Sequence, residues 1–370
     1  MSNNIKSNNQ PILEIKYGSI LKRFLCIFLP SLILITCIVG YVYITEVKIN
    51  NNKRHILEIK ENANVDRQVQ IIVNRFTVIM SDLMLLCGHH EIENMLNSSD
   101  AIYKEFVAQE FLNHCKARRD YDQIRFLDET GMEIIRVNFN DGEIYLVPED
   151  QLQFKGERYY FADTLHLKKG EVFVSPFDLN TERGKIEIPI KPVIRFGTPL
   201  IDLKGQKKGI IIVNYLGHKL IDSLKSSSIG APGRIMLLND DGYWLNSIDP
   251  EEQWGFMYEN RENKTFATTY LDEWTEISMN QSGQFFNTNG MFTYTTVLPL
   301  MKAWETTTDS SKAIERSEAQ LKAEEYKWKI VSHITPHNLA IQHHSLNYLY
   351  SFYGLFIAIS GFISWILAST

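Results

Sequence analysis

Cationic and polar residues fall on one side of several extended stretches, an arrangement suited to gripping a small anion. Side chains two apart on a strand share a face. Along residues 121–127, Tyr121, Gln123 and Arg125 therefore oppose Ile124 and Phe126. Along 133–139, Arg136 and Asn138 oppose Ile135, Val137 and Phe139. Along 186–196, Glu187, Lys191 and Arg195 oppose Ile186, Ile188, Ile190 and Ile194. A planar guanidinium donates two parallel hydrogen bonds to a carboxylate or phosphate, so a pocket built on Arg136, Arg158 or Arg195 suits such a group. Asp122, Asp128, Asp163, Asp178 and Glu187 are the carboxylates available to pair with these arginines instead, and Tyr159 and Tyr160 either wall a pocket or fill core.

Catalysis finds less footing. The chain has no phosphate-cradling glycine loop, nucleophile elbow or kinase signature. His89-His90 and His343-His344 are adjacent pairs, a spacing that does not set two ligands on one helix face. His333 and His337 straddle Pro336 with no glutamate between them, so neither a metal nor a cofactor is implied. Trp244, Trp254 and Trp274 read as core. The net charge is −6, and no basic stripe interleaved with aromatics speaks for nucleic acid.

The elements that must hold the arginines lie between two apolar runs, residues 24–44 and 348–367. Each is about 20 residues long and free of charged side chains, enough to cross a hydrocarbon layer of about 30 Å as a helix. The first exceeds the apolar core of a secretory leader and is followed by no small-residue cleavage site, so it reads as an uncleaved anchor. Lys22 and Arg23 abut it, which places the N-terminus in the cytoplasm and residues 45–347 outside. The protein is thus expected in the plasma membrane of a bacterium, with the lipid bilayer as a partner. Cys87 and Cys115 are the only cysteines between the runs; two buried free thiols are expected, with a disulfide in a periplasm as the alternative.

After the first run, Ile56, Ile59, Ala63, Val69, Val73, Phe76, Met80 and Leu83 keep a three-four rhythm, which predicts a helix over 46–86 with one buried face. A second helix follows over 101–118, capped by Ser99 or Asp100. Strands are predicted over 121–127, 133–139, 171–177, 186–196 and 209–214, then 284–287, 291–298 and 326–334, with a short helix near 216–224. Asp128, Asp202 and Asn239 each stand three before a glycine, a turn signal. Residues 125–134 (RFLDETGMEI) are echoed by 236–245 (MLLNDDGYWL), a faint internal repeat. The charged segment 310–325 is predicted to be a solvated helix, and Thr335-Pro336 to open the helix that becomes the second span.

Tyr121-Asp122-Gln123-Ile124-Arg125, Ile135-Arg136-Val137-Asn138, Arg158-Tyr159-Tyr160-Phe161, the run from Gly170-Glu171-Val172 to Ser175-Pro176-Phe177-Asp178-Leu179, and Gly209-Ile210-Ile211-Ile212-Val213-Asn214 together resemble the double-Cache (double PDC, PAS-like) extracellular sensors of bacterial receptors. The subgroup attached to histidine kinases is the nearest. The resemblance covers residues 41–367. It implies an α+β fold of two tandem PAS-like modules on a long N-terminal helix, flanked by two membrane helices. The membrane-distal module (119–217) would hold a small-molecule pocket, and the proximal one (218–335) would relay its state through a connector at 336–347. In amino-acid-binding relatives an Arg-x-Trp-Tyr motif grips the ligand carboxylate and an Asp holds its ammonium. Here Arg158 keeps its place, but Tyr160 and Phe161 replace the aromatic pair and Asn214 replaces the Asp. The candidate ligand-binding set is therefore Arg158, Tyr160, Asp178, Arg136, Arg195, Asn214, Tyr121 and Arg125, with a carboxylate or phosphate as ligand.

The expectation is a membrane sensor, not itself an enzyme, dimerising through parallel spine helices and signalling through an output domain beyond Thr370 or a cytoplasmic partner. A tethered binding or scaffold protein is the alternative, with an ectoenzyme behind it.

Overall fold

The structure, a computed structural model, describes residues 10–98, 100–140, 142–182, 184–300, 306–308, 321–322, 324–340 and 344–370. The chain divides into two units, one of Met1–Ile59 with Pro336–Thr370 and one of Lys60–Thr335.

The first unit contains two helices long and apolar enough to cross a membrane. One is the N-terminal part of α1 (Gln10–Cys87) and the other is α9 (His344–Ser369), preceded by the short α8 (Pro336–Ala340), which starts on the proline as expected. Within this unit Ser31 hydrogen-bonds Ser360 at 2.6 Å and Thr36 bonds Tyr353 at 3.0 Å, while the ring of Phe24 meets Trp365 edge-on. These pairs run in opposite chain directions, so α1 and α9 lie antiparallel with hydroxyls joined across the seam, the polar glue used by helices in lipid.

In the second unit, α1 carries a dry face of Val65, Ile72, Phe76, Ile79, Met80, Leu83 and Leu86. The heptad-like rhythm located this face from Val69 onward. Earlier in the helix the expectation is corrected: Ile56, Ile59 and Ala63 are exposed, and beside Val65 the buried side chains are Glu61, Asn64 and Gln68. These find partners. Glu61 accepts from Ser332 and from the Gly233 amide, and Gln68 bonds Ser227 and Ser228. Helices α2 (His90–Asn97) and α3 (Ala101–Arg118) follow, the latter capped by Asp100 accepting from the Ile102 amide at 3.0 Å.

The first sheet contains β1 (Tyr121–Asp128), β2 (Glu133–Asn140), β3 (Glu143–Leu146), β4 (Val172–Val174) and β5 (Asp178–Leu179). Beyond the small hairpin β6 (Thr181–Glu182) and β7 (Lys185–Ile186) it continues with β8 (Pro192–Ile201) and β9 (Lys207–Leu216). Its central order is β4-β8-β9-β1-β2-β3, antiparallel throughout. Helix α4 (Tyr159–His166) lies in the β3–β4 connection and α5 (Gly217–Ser227) follows β9. The second sheet follows with β10 (Arg234–Leu238) and β11 (Trp244–Asn246), then helices α6 (Phe266–Thr269) and α7 (Leu271–Met279), then β12 (Ser282–Asn287) and β13 (Gly290–Val297). Two short strands, β14 (Thr306–Thr308) and β15 (Leu321–Lys322), extend the edge of the first sheet, and β16 (Trp328–Ile334) returns to the second, whose order is β11-β10-β16-β13-β12. The helix expected over 310–325 falls mostly outside the described residues; of the four described, Leu321 and Lys322 form β15 and Glu324 and Glu325 a turn.

The three turn signals share one geometry. Asp128 Oδ1 accepts from the amides of Thr130 and Met132, Asp202 Oδ1 from Lys204 and Gln206, and Asn239 Oδ1 from Tyr243. The glycine three residues on takes positive φ in each. The internal repeat therefore marks the same strand-turn-strand at the start of both sheets.

The inner face of the first sheet packs on α1 and α3 through Ile124, Phe126, Val137, Phe196 and Val213. Phe76 of α1 reaches both sheets, its ring 5.3 Å from Phe196 and 5.4 Å from Trp328. Trp244 and Trp254 are buried as expected of core, and Trp274, partly exposed, packs against the cluster around Trp244 and Phe266. Cys87 and Cys115 are free thiols.

Two strand expectations need correction. The stretch 186–196 is not one strand: β8 starts only at Pro192, and Ile188 and Ile190 are exposed rather than facing core. Pro189 has no N–H to give a ladder, and Pro192 opens β8 opposite Leu179, so the run from Ile186 does not pair continuously. Strand β1 does not alternate along its whole length, because Tyr121 pairs with Tyr215 and Gln123 with Asn214, leaving Asp122 as a bulge.

Candidate functional site

Register brings the polar side chains to one place. Across β2 and β1, Arg136 stands directly opposite Arg125. Across β1 and β9, Gln123 faces Asn214, and across β9 and β8, Asn214 faces Arg195. Above this row runs the segment 153–158, which is tied to the β1–β2 turn: the Lys155 amide donates to Gly131 O at 2.7 Å and the Glu133 amide to Gln153 O. The two backbones meet so closely at Gly131 and Gly156 that a Cβ on Gly131 would collide with Gly156. That approach delivers Lys155, and Arg158 at the mouth of α4, over the outer face of the sheet.

The result is a cavity of about 180 Å³ walled by Arg125, Arg136, Lys155, Arg158, Tyr160 and Arg195, with Gln123, Gln153, Asn180 and Asn214 between them. The guanidinium carbons of Arg125, Arg158 and Arg195 all lie 5.2–5.9 Å from the Tyr160 ring centroid. Arg125, almost fully buried, donates to Tyr160 Oη at 3.0 Å and to Asn214 Oδ1 at 2.8 Å. Since the phenol oxygen is thereby used as an acceptor, its own O–H remains to donate. Burial alone would push the Tyr160 phenol up, yet Arg125, Lys155 and Arg195 bring it below its ordinary value.

Two carboxylates balance part of this charge. Asp178 accepts from Arg195 Nη1 with both oxygens, at 2.9 and 3.2 Å. Glu133 accepts from Arg136 at 2.8 Å and from the Gln153 amide at 3.0 Å, and its other oxygen lies 3.7 Å from Arg125. Burial works against the Arg195 charge, but Asp178 and the neighbouring Tyr159 and Tyr160 hold its pKa above the ordinary guanidinium value.

Six of the eight candidate residues thus line one cavity: Arg125, Arg136, Arg158, Tyr160, Arg195 and Asn214. Asp178 stands behind Arg195 as its counter-ion. Tyr121 stands elsewhere. The Asp122 bulge turns it to the other face, where its hydroxyl donates to Asp82 of α1 at 2.6 Å and its ring stacks on His114. There burial raises the Asp82 carboxyl, while His114, Tyr121 and Arg118 together hold it below its ordinary value. Asp122 pairs with Lys191 at 3.1 Å rather than with any cavity arginine. Glu133, Lys155, Gln153 and Asn180 were not among the expected residues. Strict alternation puts Glu133 and Arg136 on opposite faces, but Phe126 pairs with Ile135 and Leu127 with Glu133, so Ile134 is a second bulge that returns Glu133 to the arginine side.

Arg195 also connects the cavity to the second sheet. Its backbone N–H donates to Ser175 Oγ and its carbonyl accepts from the Ser175 amide, both at 2.9 Å. Ser175 O in turn accepts from the buried hydroxyl of Tyr326, two residues before β16. A larger cavity of about 370 Å³ lies between the end of α1, α2 and the β8–β9 turn, lined by Met84, Ile92, Leu96 and Leu200 with His89 and Lys169. It gathers no cluster of buried charge.

The description "Bacterial histidine kinase, sensor domain" matches residues 67–303, more than half of the chain. The chain belongs to this family. No curated protein is similar enough to match it. Among solved structures, the sensor domain superposes on the extracellular domain of a protein designated histidine kinase vpHK1S-Z8, with TM-score 0.61 and 17% identity, over 79% of this chain and 98% of that one. A domain assigned to the sensory box/GGDEF family from Vibrio parahaemolyticus gives TM-score 0.60 at 17% identity, over 77% and 99%. The ligand-binding domain of the Campylobacter jejuni chemoreceptor Tlp3, solved with L-valine, aligns at TM-score 0.48 and 10% identity, over 78% and 96%. The first two establish the fold as that of tandem Cache-like sensor domains, in keeping with the α+β reading of the sequence.

Proposed function

We propose that this sensor is anchored in a bacterial plasma membrane by α1 and α9, with the unit between them outside the cell, and that it reports the binding of a small anion. The distal module would be residues 119–217, holding the cavity, and the proximal module 218–335. The observation that carries the reading is the charge around the cavity: five cationic side chains against two carboxylates, both of them already engaged. Opposed arginines such as Arg125 and Arg136 repel across a strand pair, a cost that an anionic ligand relieves. A homodimer through parallel α1 helices, passing its state to a cytoplasmic output, completes the proposal.

Arg158 makes no ion pair among the described residues and is only half-buried, so its removal should leave the empty fold within about 0.5 kcal/mol of wild type. The expected result for purified full-length Arg158→Ala is an unchanged melting temperature without ligand and loss of the stabilisation that small carboxylates or phosphate confer on wild type. An unaltered anion response in the variant, or stabilisation by amines instead of anions, refutes the assignment.

Binding shifts a receptor only as far as affinity differs between its two states, so the cavity needs a mechanical link. The Arg195–Ser175–Tyr326 chain supplies one to β16, which runs directly into α8. Tyr326→Phe should cost about 1 kcal/mol of stability and keep ligand affinity, while abolishing the ligand-induced slowing of amide exchange along β16. Retained slowing in the variant would rule this link out.

A further inference from the structure

Valence and the lack of a carboxylate in the cavity wall narrow the ligand further. Arg125, Arg136, Lys155, Arg158 and Arg195 bring five positive charges to a space of about 180 Å³, and Asp178 and Glu133 return two. A single carboxylate leaves that imbalance largely in place. The space equals roughly six waters at liquid density, so the ligand is compact.

A ligand ammonium is held best by a carboxylate, and none lines this cavity among the described residues; the amide oxygens of the wall each already receive a donor. Both Asp178 oxygens receive Arg195. Asn180 Oδ1 receives Arg195 at 3.2 Å, Asn214 Oδ1 receives Arg125, Gln153 Oε1 receives Lys155 at 2.6 Å, and Gln123 Oε1 receives the Asn214 amide at 3.3 Å. Glu133 Oε1 makes no hydrogen bond, but it is sealed from solvent behind Arg125 and does not line the cavity. Beside the Thr181 hydroxyl, what the wall chiefly offers is donors: guanidinium N–H groups, the Lys155 ammonium and the Tyr160 hydroxyl.

We infer that the cavity selects a compact dianion carrying no cationic group, a short dicarboxylate or a phosphate, over monoanions and over α-amino acids. This rests on the anion reading above and adds to it the valence and the exclusion of ammonium.

The test uses the purified full-length chain in detergent at constant ionic strength. Malonate, inorganic phosphate, acetate and glycine are compared by thermal shift and titration calorimetry. Malonate or phosphate should bind at least about tenfold more tightly than acetate, and glycine should give no shift. Malonate binding alone identifies the dicarboxylate, and phosphate binding alone the phosphoryl source. Lys155→Gln, which removes one half-buried cation at the rim, should cut the preference for dianion over acetate about tenfold. Acetate binding as tightly as malonate, or glycine binding at all, overturns this inference while leaving the anion reading standing. Silence from every anion removes both.

Discussion

Asp178→Ala is expected to lower the stability of the sensor by about 3–5 kcal/mol. The side chains of Asp178 and Arg195 are each only 4% exposed. An arginine cannot shed its proton to escape burial, so losing the carboxylate strands a full charge among Tyr160, Ser175 and the strand ladder. In a domain of this size the loss corresponds to a fall of about 10 °C or more in melting temperature, readable on the intact protein. Two companions separate charge from packing. Asp178→Asn keeps an acceptor for Arg195 and should fall between wild type and alanine. Adding Arg195→Met to Asp178→Ala should recover most of the stability, because the stranded charge is gone, while the proposed anion affinity falls with the loss of one cavity arginine. A loss below about 1 kcal/mol for Asp178→Ala would mean that Arg195 is hydrated, contrary to its burial.

Phe76→Ala should cost a similar about 3–5 kcal/mol, for a different reason. Phe76 is completely buried, and its ring is wedged among Phe196 on the first sheet, Trp328 on the second and Tyr326 just before it, at 5.3, 5.4 and 6.2 Å. Truncation opens a void between three elements that cannot close it without moving a sheet. The control is Phe106→Ala on α3, where the ring is 48% exposed and the change should stay within about 0.5 kcal/mol. Equal effects from the two substitutions would dismiss the wedge.

Local rules made much of this fold legible. The three-four rhythm from Val69 to Leu83 found the helix face that meets the core, and the acidic or amide residue three before a glycine found three turns, because both signals depend only on neighbours in the chain. The arginine side of the first sheet was legible for the same reason wherever strands alternate without interruption. It failed at the two bulges. One extra residue at Asp122 sent Tyr121 to Asp82, and one at Ile134 brought Glu133 to Arg136. A bulge answers to the partner strand, which a single stretch of sequence does not contain. Lys155 and Gln153 were invisible for a related reason, since the loop that carries them is placed by the Gly131–Gly156 approach rather than by any period. Ile188 and Ile190 misled because β-branched residues look like strand even where Pro189 between them denies a ladder.

Glu61 bears on how such a molecule is able to move. Its carboxylate, shut away from water, is held by Ser332 on the outgoing strand β16 and by the Gly233 amide, and no cation pairs with it among the described residues. The polypeptide's inbound helix and outbound strand are therefore bolted at one level. Sliding one past the other by a single strand residue, about 3.3 Å, would pull a donor away and leave a bare negative charge in a dry place. Motions that spare it carry helix and strand together, as a rotating or tilting pair. On the proposed reading, a stimulus at the arginines would have to turn that pair as one body or be strong enough to unseat the bolt.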